Sequence, residues 1–260
     1  MNRFILTAIV PCLILSSCER SSVPPEVHKA THDHKAHWSY NGDTGPEHWA
    51  DLDPAWTVAK SGKNQSPIDL SSASQPQDLT DLETDYKPTS VDLKNNGHTI
   101  VQSYREGSTV SVGDKAYELK QFHFHHKSEH TVDGDSFDME CHLVHANEAG
   151  NLLVVGVFIK EGNENSFLKQ LWTDMPEVAD EATKNAQEIN VEHFLPADLS
   201  YYHYQGSLTT PPCTEGVQWY VLAEPVEASA DQISKFAKIF PNNNRPVQIR
   251  FDRRIVLSDD

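Results

Sequence analysis

The segment Gln121-Phe122-His123-Phe124-His125 alternates polar and aromatic residues without a break. In a strand, side chains two apart share a face, so Gln121, His123 and His125 project together while Phe122 and Phe124 project the other way. Two imidazoles side by side, backed by aromatic packing, form half of a zinc site. Downstream, Glu140-Cys141-His142-Leu143-Val144-His145 repeats the pattern, with Glu140, His142 and Val144 on one face and Cys141, Leu143 and His145 on the other. Pairing these strands would make His142 a third ligand and leave the fourth position open, as catalytic rather than structural zinc requires. Gln121 and Glu140 each stand two residues before a ligand on its own face, where each can accept the distal ring N–H and fix the tautomer. Any one of these histidines alone would read as a polar member of a half-buried sheet. Three with matched partners point to metal. The chain contains no H-E-x-x-H helix, which disfavours a thermolysin-like protease.

The surrounding chain has the same character. Short runs at 90–94, 99–102, 109–112, 118–126, 139–145, 152–160, 217–222 and 247–251 alternate or are apolar throughout, separated by turns such as Asn96-Gly97 and Asp133-Gly134-Asp135. Helical spacing is confined to 165–172 and 229–240, the latter opening on a Ser cap. The expected fold is mainly β: a single domain with a large, mostly antiparallel sheet and short peripheral helices. Thirty-eight acidic against 21 basic residues give a net charge of −17, which repels nucleic acid and argues against docking on anionic lipid through basic patches.

Residues 1–17 read as an export signal, with Arg3 before an apolar core too short to span a bilayer. Leu15-Ser16-Ser17-Cys18 is similar to a lipobox, in which Cys18 is lipidated after cleavage; ordinary cleavage nearby would leave a plain thiol. The expected location is therefore the periplasm, with membrane contact only through a lipid anchor at Cys18. Glu19 after the cysteine favours the outer membrane. Residues 18–36 are a polar tether carrying His28, His32 and His34, either a weak metal-collecting arm or a solvated linker. The folded domain is expected over 37–260.

Several motifs in fixed order now identify a relationship. Gly45-Pro46-Glu47-His48-Trp49, Gly62-Lys63-Asn64-Gln65-Ser66-Pro67-Ile68, Asn95-Asn96-Gly97-His98, the two histidine strands, Ser128-Glu129-His130-Thr131-Val132-Asp133, Gly206-Ser207-Leu208-Thr209-Thr210-Pro211-Pro212 and Asn243-Asn244-Arg245-Pro246-Val247-Gln248 resemble the α-class carbonic anhydrases of the exported bacterial type. The resemblance spans 38–256 and implies that family's large twisted sheet, with zinc at the bottom of a conical cleft. It also implies reversible hydration of carbon dioxide to bicarbonate and a proton, by zinc-hydroxide attack with a histidine proton shuttle.

Carried over residue by residue, the resemblance makes His123, His125 and His142 the Zn2+ ligands, with Gln121 and Glu140 behind them. Thr209 would accept a hydrogen bond from the nucleophile and donate its own proton to Glu129, a role that needs a hydroxyl backed by a pure acceptor. Val144, Val154, Leu208 and Trp219 would form the apolar wall for carbon dioxide, with Thr210 beside bicarbonate. His98 would be the shuttle, with Tyr40 and Asn96 ordering water; the alternative is a turn residue after Asn96-Gly97 with no shuttle role. His126 and His145 face away from the metal, and His48 and His130 are assigned structural hydrogen bonding. Exported relatives usually bridge the Cys after Pro-Pro to one three residues before the Gly of the Gly-Lys-Asn-Gln motif. Here Cys213 is present but Ala59 replaces its partner, so that bridge cannot form, and a Cys141–Cys213 bridge is not expected. Monomer and homodimer stay open. The alternative to an enzyme is a zinc-binding lipoprotein without activity, which the complete set of His123, His125, His142, Thr209 and Glu129 disfavours.

Overall fold

The computed structural model describes residues 36–71, 76–77 and 79–258. The expected signal, Cys18 and nearly all of the tether lie outside the described residues. Among those residues, thirteen strands form one sheet. Its main path runs Ala182–Ile189, Thr89–Asn95, Ile100–Ser103, Lys115–His125, Met139–Ala146, Leu152–Glu161, Glu215–Leu222, Tyr201–Ser207, Val256–Ser258 and Pro76–Gln77. Most neighbours are antiparallel, but Leu152–Glu161 runs parallel to both Glu215–Leu222 and Val226–Ala228. The fold is mainly β, as its punctuated alternation predicts.

Alternation along the two histidine strands sorts their side chains between two cores. Phe122, Phe124, Cys141 and Leu143 enter one cluster, which is sealed by two short helices. Ser166–Leu171 is started by Asn165, whose side chain accepts the Phe167 and Leu168 N–H groups; Ala230–Ile239 is started by a reciprocal capping box between Ser229 and Gln232. Phe236 of the second helix packs edge-on against Phe124, with ring centroids 6.1 Å apart. On the opposite face Val154, Phe158, Tyr204, Trp219 and Val221 form a second cluster, and the candidate ligands His123 and His142 stand on that side.

Residues 247–251 are not a strand. Pro246 enters the segment, Gln248 N–H donates to the Pro67 carbonyl (2.8 Å), and Phe251 takes φ of 53°, which turns the chain away. Val247, Ile249 and Phe251 are exposed, so an alternating pattern here found no neighbouring strand to bury it. Conversely, the polar edge strand Ala182–Ile189 pairs with Thr89–Asn95 despite a burial pattern too weak to be seen in sequence.

Cys141 and Cys213 are both free thiols and both buried. Addition of reductant is therefore expected to leave the melting temperature unchanged within about 1 °C, since a native bridge would contribute about 2–4 kcal/mol. A clear fall on reduction would reveal a bridge within or between chains.

Candidate metal centre

Strand register places His142 directly opposite His123, and Glu140 opposite His125. The ligand atoms of His123, His125 and His142 lie within 4.8 Å of one another. In each ring, one nitrogen is already committed. His123 Nδ1–H donates to Gln121 Oε1 (2.8 Å), His125 Nδ1–H to the Asn243 carbonyl (2.7 Å), and His142 Nε2–H to Glu140 Oε1 (2.8 Å). Those three acceptors cannot donate in return, so each ring presents its other nitrogen as a lone pair. His125 Nε2 is buried with no hydrogen-bond partner. An orphaned lone pair in a protein interior is costly unless something electron-poor meets it.

Electrostatics agree. Burial is the main cause that pushes all three imidazoles below their ordinary pKa, His125 to about 4, and neighbouring histidines add to the effect in each. The rings are neutral at physiological pH, the form that binds metal. His130, Glu140 and His142 form a second cluster within the same limit, but those atoms already bond one another, His130 Nδ1 at 2.8 Å from Glu140 Oε1. That cluster is a hydrogen-bond network rather than a cation site.

Beneath the three imidazoles lies Glu129, 1% exposed. Its Oε1 accepts the Arg245 N–H (2.7 Å), and its own N–H donates to Glu140 Oε2 (2.9 Å). Burial pushes the Glu129 carboxyl up to about 7, against the pull of His142, the Arg245 N–H and the Thr209 hydroxyl. Thr209 exerts that pull without full hydrogen-bond geometry, and Glu129 Oε2, 3.9 Å from His142 Nδ1, has no hydrogen-bond partner.

The apolar side of the site comes from one row of register partners: Gln121, Val144, Val154, Trp219 and Tyr204. Val144, Val154, Trp219 and Leu208 belong to one cluster, and the Trp219 ring packs edge-on to His142 at 4.8 Å. Trp219 Nε1–H donates to the Ser207 carbonyl (3.0 Å), which ties this wall to the Thr209 loop. Thr210, half-buried, accepts the Cys213 N–H through its carbonyl (2.8 Å).

His98 is half-buried and stacks flat on Trp38, with centroids 3.7 Å apart and planes 6° apart. Burial, followed by the charge of His37, lowers its pKa below 6.5. Asn96 is spent locally: its Oδ1 accepts the His98 and Thr99 N–H groups at 2.9 Å and shapes the turn that carries His98. Tyr40 packs edge-on to Trp38 and Trp49, and burial raises its phenol well above 10, with Glu129 adding to the effect. His145 points into the other core, where its Nε2 meets Tyr86 Oη at 2.9 Å.

Two contributors were invisible in the sequence. The Asn243 carbonyl orients His125, and the Arg245 N–H holds Glu129. Both are backbone atoms brought in from more than a hundred residues away, and no residue identity could have announced them.

The family model described as eukaryotic-type carbonic anhydrase matches residues 44–258. The chain belongs to the eukaryotic-type, or alpha, carbonic anhydrase family. It is an enzyme of that family, whose reaction interconverts carbon dioxide and bicarbonate. A carbonic anhydrase of Nostoc sp. is 46% identical over 228 residues, which is 84% of this chain and 85% of that relative. The α-carbonic anhydrase of Thermovibrio ammonificans, solved in complex with the inhibitor sulfanilamide, superposes with a TM-score of 0.83 at 46% identity, covering 85% of this chain and 99% of that one. Dioscorin complexed with ascorbate shares the fold at 29% identity and a TM-score of 0.79, over 86% of this chain and 98% of that one.

Proposed function

We propose that this carbonic anhydrase hydrates carbon dioxide at a Zn2+ ion held by His123 Nε2, His125 Nε2 and His142 Nδ1. One observation carries the reading: three neutral imidazoles converge, each with its other nitrogen committed, and His125 Nε2 is buried without a partner. Zinc, when bound, supplies a Lewis acid that makes a water acidic enough to yield an oxygen nucleophile near neutral pH.

The chain's own residues do the rest. Thr209 Oγ1 accepts a hydrogen bond from the nucleophile and passes its own hydrogen toward Glu129 Oε2, which aims a lone pair at the substrate. Val144, Val154, Leu208 and Trp219 give an uncharged molecule an apolar surface to rest on. Thr210 borders the place where bicarbonate forms. Zinc analysis and carbon dioxide hydration measured on one purified sample test the reading; an active protein without zinc, or a zinc protein without activity, would refute it.

His98 is assigned the proton transfer that follows bicarbonate release, with Tyr40 holding water on the path and Asn96 holding the turn. Because its pKa lies below 6.5, the ring is uncharged at neutral pH and ready to accept a proton. In weak buffer, His98→Ala is expected to lower kcat about tenfold or more while kcat/KM for carbon dioxide stays nearly unchanged, since proton removal comes after the steps that kcat/KM reports. Imidazole buffer should restore turnover. Equal loss in both parameters would place His98 in the hydration step instead.

A further inference from the structure

On the side of His142 away from the lone pair, a line of buried hydrogen bonds continues past Glu140. Glu140 Oε1 accepts from both His142 Nε2–H and His130 Nδ1–H, each at 2.8 Å. His130 Nε2 lies 2.7 Å from Tyr204 Oη, and Tyr204 Oη lies 2.7 Å from Ser66 Oγ. Ser66 Oγ accepts the Ser207 N–H (3.0 Å), the Ser66 N–H donates to Ser207 Oγ (2.9 Å), and the Ser207 hydroxyl donates to the Leu208 carbonyl (2.8 Å). Leu208 leads straight into Thr209. Glu129, behind Thr209, returns to the start by donating its N–H to Glu140 Oε2.

The directions of these bonds are mutually consistent. A carboxylate only accepts, so His130 Nδ1 carries a hydrogen, and in the neutral ring Nε2 then accepts from the Tyr204 hydroxyl. Tyr204 Oη in turn accepts from Ser66, and Ser66 from Ser207. Donors running one way along a buried line reinforce each other. Every residue in it, from Ser66 to His142, is at most 1% exposed. Burial raises the Tyr204 phenol well above 10, against the lowering effect of Ser66, so it remains a donor. The backbone makes room for the line: a Cβ on Gly206 would lie 2.1 Å from Ser66 Oγ and 2.7 Å from the Tyr204 ring.

We propose that Tyr204 and Ser66 are positioning residues, which hold His130 at its far end and through it Glu140, so that the aim of His142 and the seat of the Thr209 loop are set together. Neither touches substrate or metal. Without the Tyr204 hydroxyl, His130 Nε2 is left without its partner, the ring loses the bond that fixes its orientation at the far end, and Glu140 loses a fixed partner. The inference rests on His142 being a zinc ligand.

The test is a double-mutant cycle on the full chain, reading zinc dissociation constants by competition with a chelator for wild type, Tyr204→Phe, Glu140→Ala and the double variant. Tyr204→Phe keeps the ring that lies nearly parallel to Trp219 (6.4 Å, 7°) and removes only the hydroxyl. It should weaken zinc binding about tenfold, at the lower end of the loss seen when partners behind metal ligands are removed. In the Glu140→Ala background the same change should cost less than about twofold, because its effect passes through Glu140. Unchanged affinity in the single variant, or equal loss in both backgrounds, would overturn the proposal. If Tyr204→Phe fails to fold by circular dichroism, the same cycle with Ser66→Ala decides, with a smaller loss in the same direction expected. Absence of zinc binding in the wild type would instead refute the metal reading itself.

Discussion

Replacing His142 with alanine is expected to abolish tight zinc binding and, with it, carbon dioxide hydration. Structural zinc binds with about 10–16 kcal/mol of apparent free energy, so one of three protein ligands carries roughly 3–5 kcal/mol, or about 10²–10⁴ in affinity. Glu140 would keep the His130 ring and the Glu129 and His130 N–H groups as donors, so the carboxylate is not left unpaired by the substitution. His145→Ala is the control. His145 lies in the same strand but faces the other core, and burial holds its ring at a pKa of about 3, neutral and bonded to Tyr86. That variant should keep one zinc per chain while losing roughly 1–3 kcal/mol of stability from the abandoned Tyr86 hydroxyl. Metal analysis after dialysis against a chelator reads both. One zinc per chain retained by His142→Ala would overturn the ligand assignment.

Thr209→Ala is the second large effect. Zinc should remain stoichiometric, since Thr209 holds no part of the metal, yet kcat/KM for carbon dioxide should fall about 10–100-fold, as when a group that orients a metal-site ligand is removed. Alanine keeps the loop, because the bonds that seat it use the Leu208 and Cys213 N–H groups and the Ser207 carbonyl rather than the Thr209 side chain. The loss should appear in kcat/KM, which separates this variant from His98→Ala, where the loss appears in kcat. A Thr209→Ala enzyme with wild-type kcat/KM would remove Thr209 and Glu129 from the hydration step.

The two readings of His98 differ in what surrounds it. The turn Asn96-Gly97-His98 was legible, because Asn and Gly favour tight turns. The stacking of His98 on Trp38 was not, since those residues are sixty positions apart and nothing local links them. Residues 247–251 illustrate the opposite error: the alternating pattern was real, but the fold offered no partner strand. Periodicity reports what a segment could pair with, and only its neighbours decide whether it does.

What the sequence determined by itself was everything that depends on side-chain spacing along one strand. Period two puts Gln121 with His123 and Glu140 with His142, keeps Phe122, Phe124 and His145 on the other face, and needs no long-range information. The mainly β class followed from the same periodicity, repeated between turns. What only the tertiary structure decided was the register that sets His142 opposite His123, the Asn243 and Arg245 backbone groups that orient His125 and Glu129, and the ring of hydrogen bonds through Tyr204 and Ser66. The physical reason is common to all three. Every residue carries the same backbone donors and acceptors, and a hydroxyl or carbonyl gains its meaning only from what long-range folding brings within hydrogen-bond reach of it.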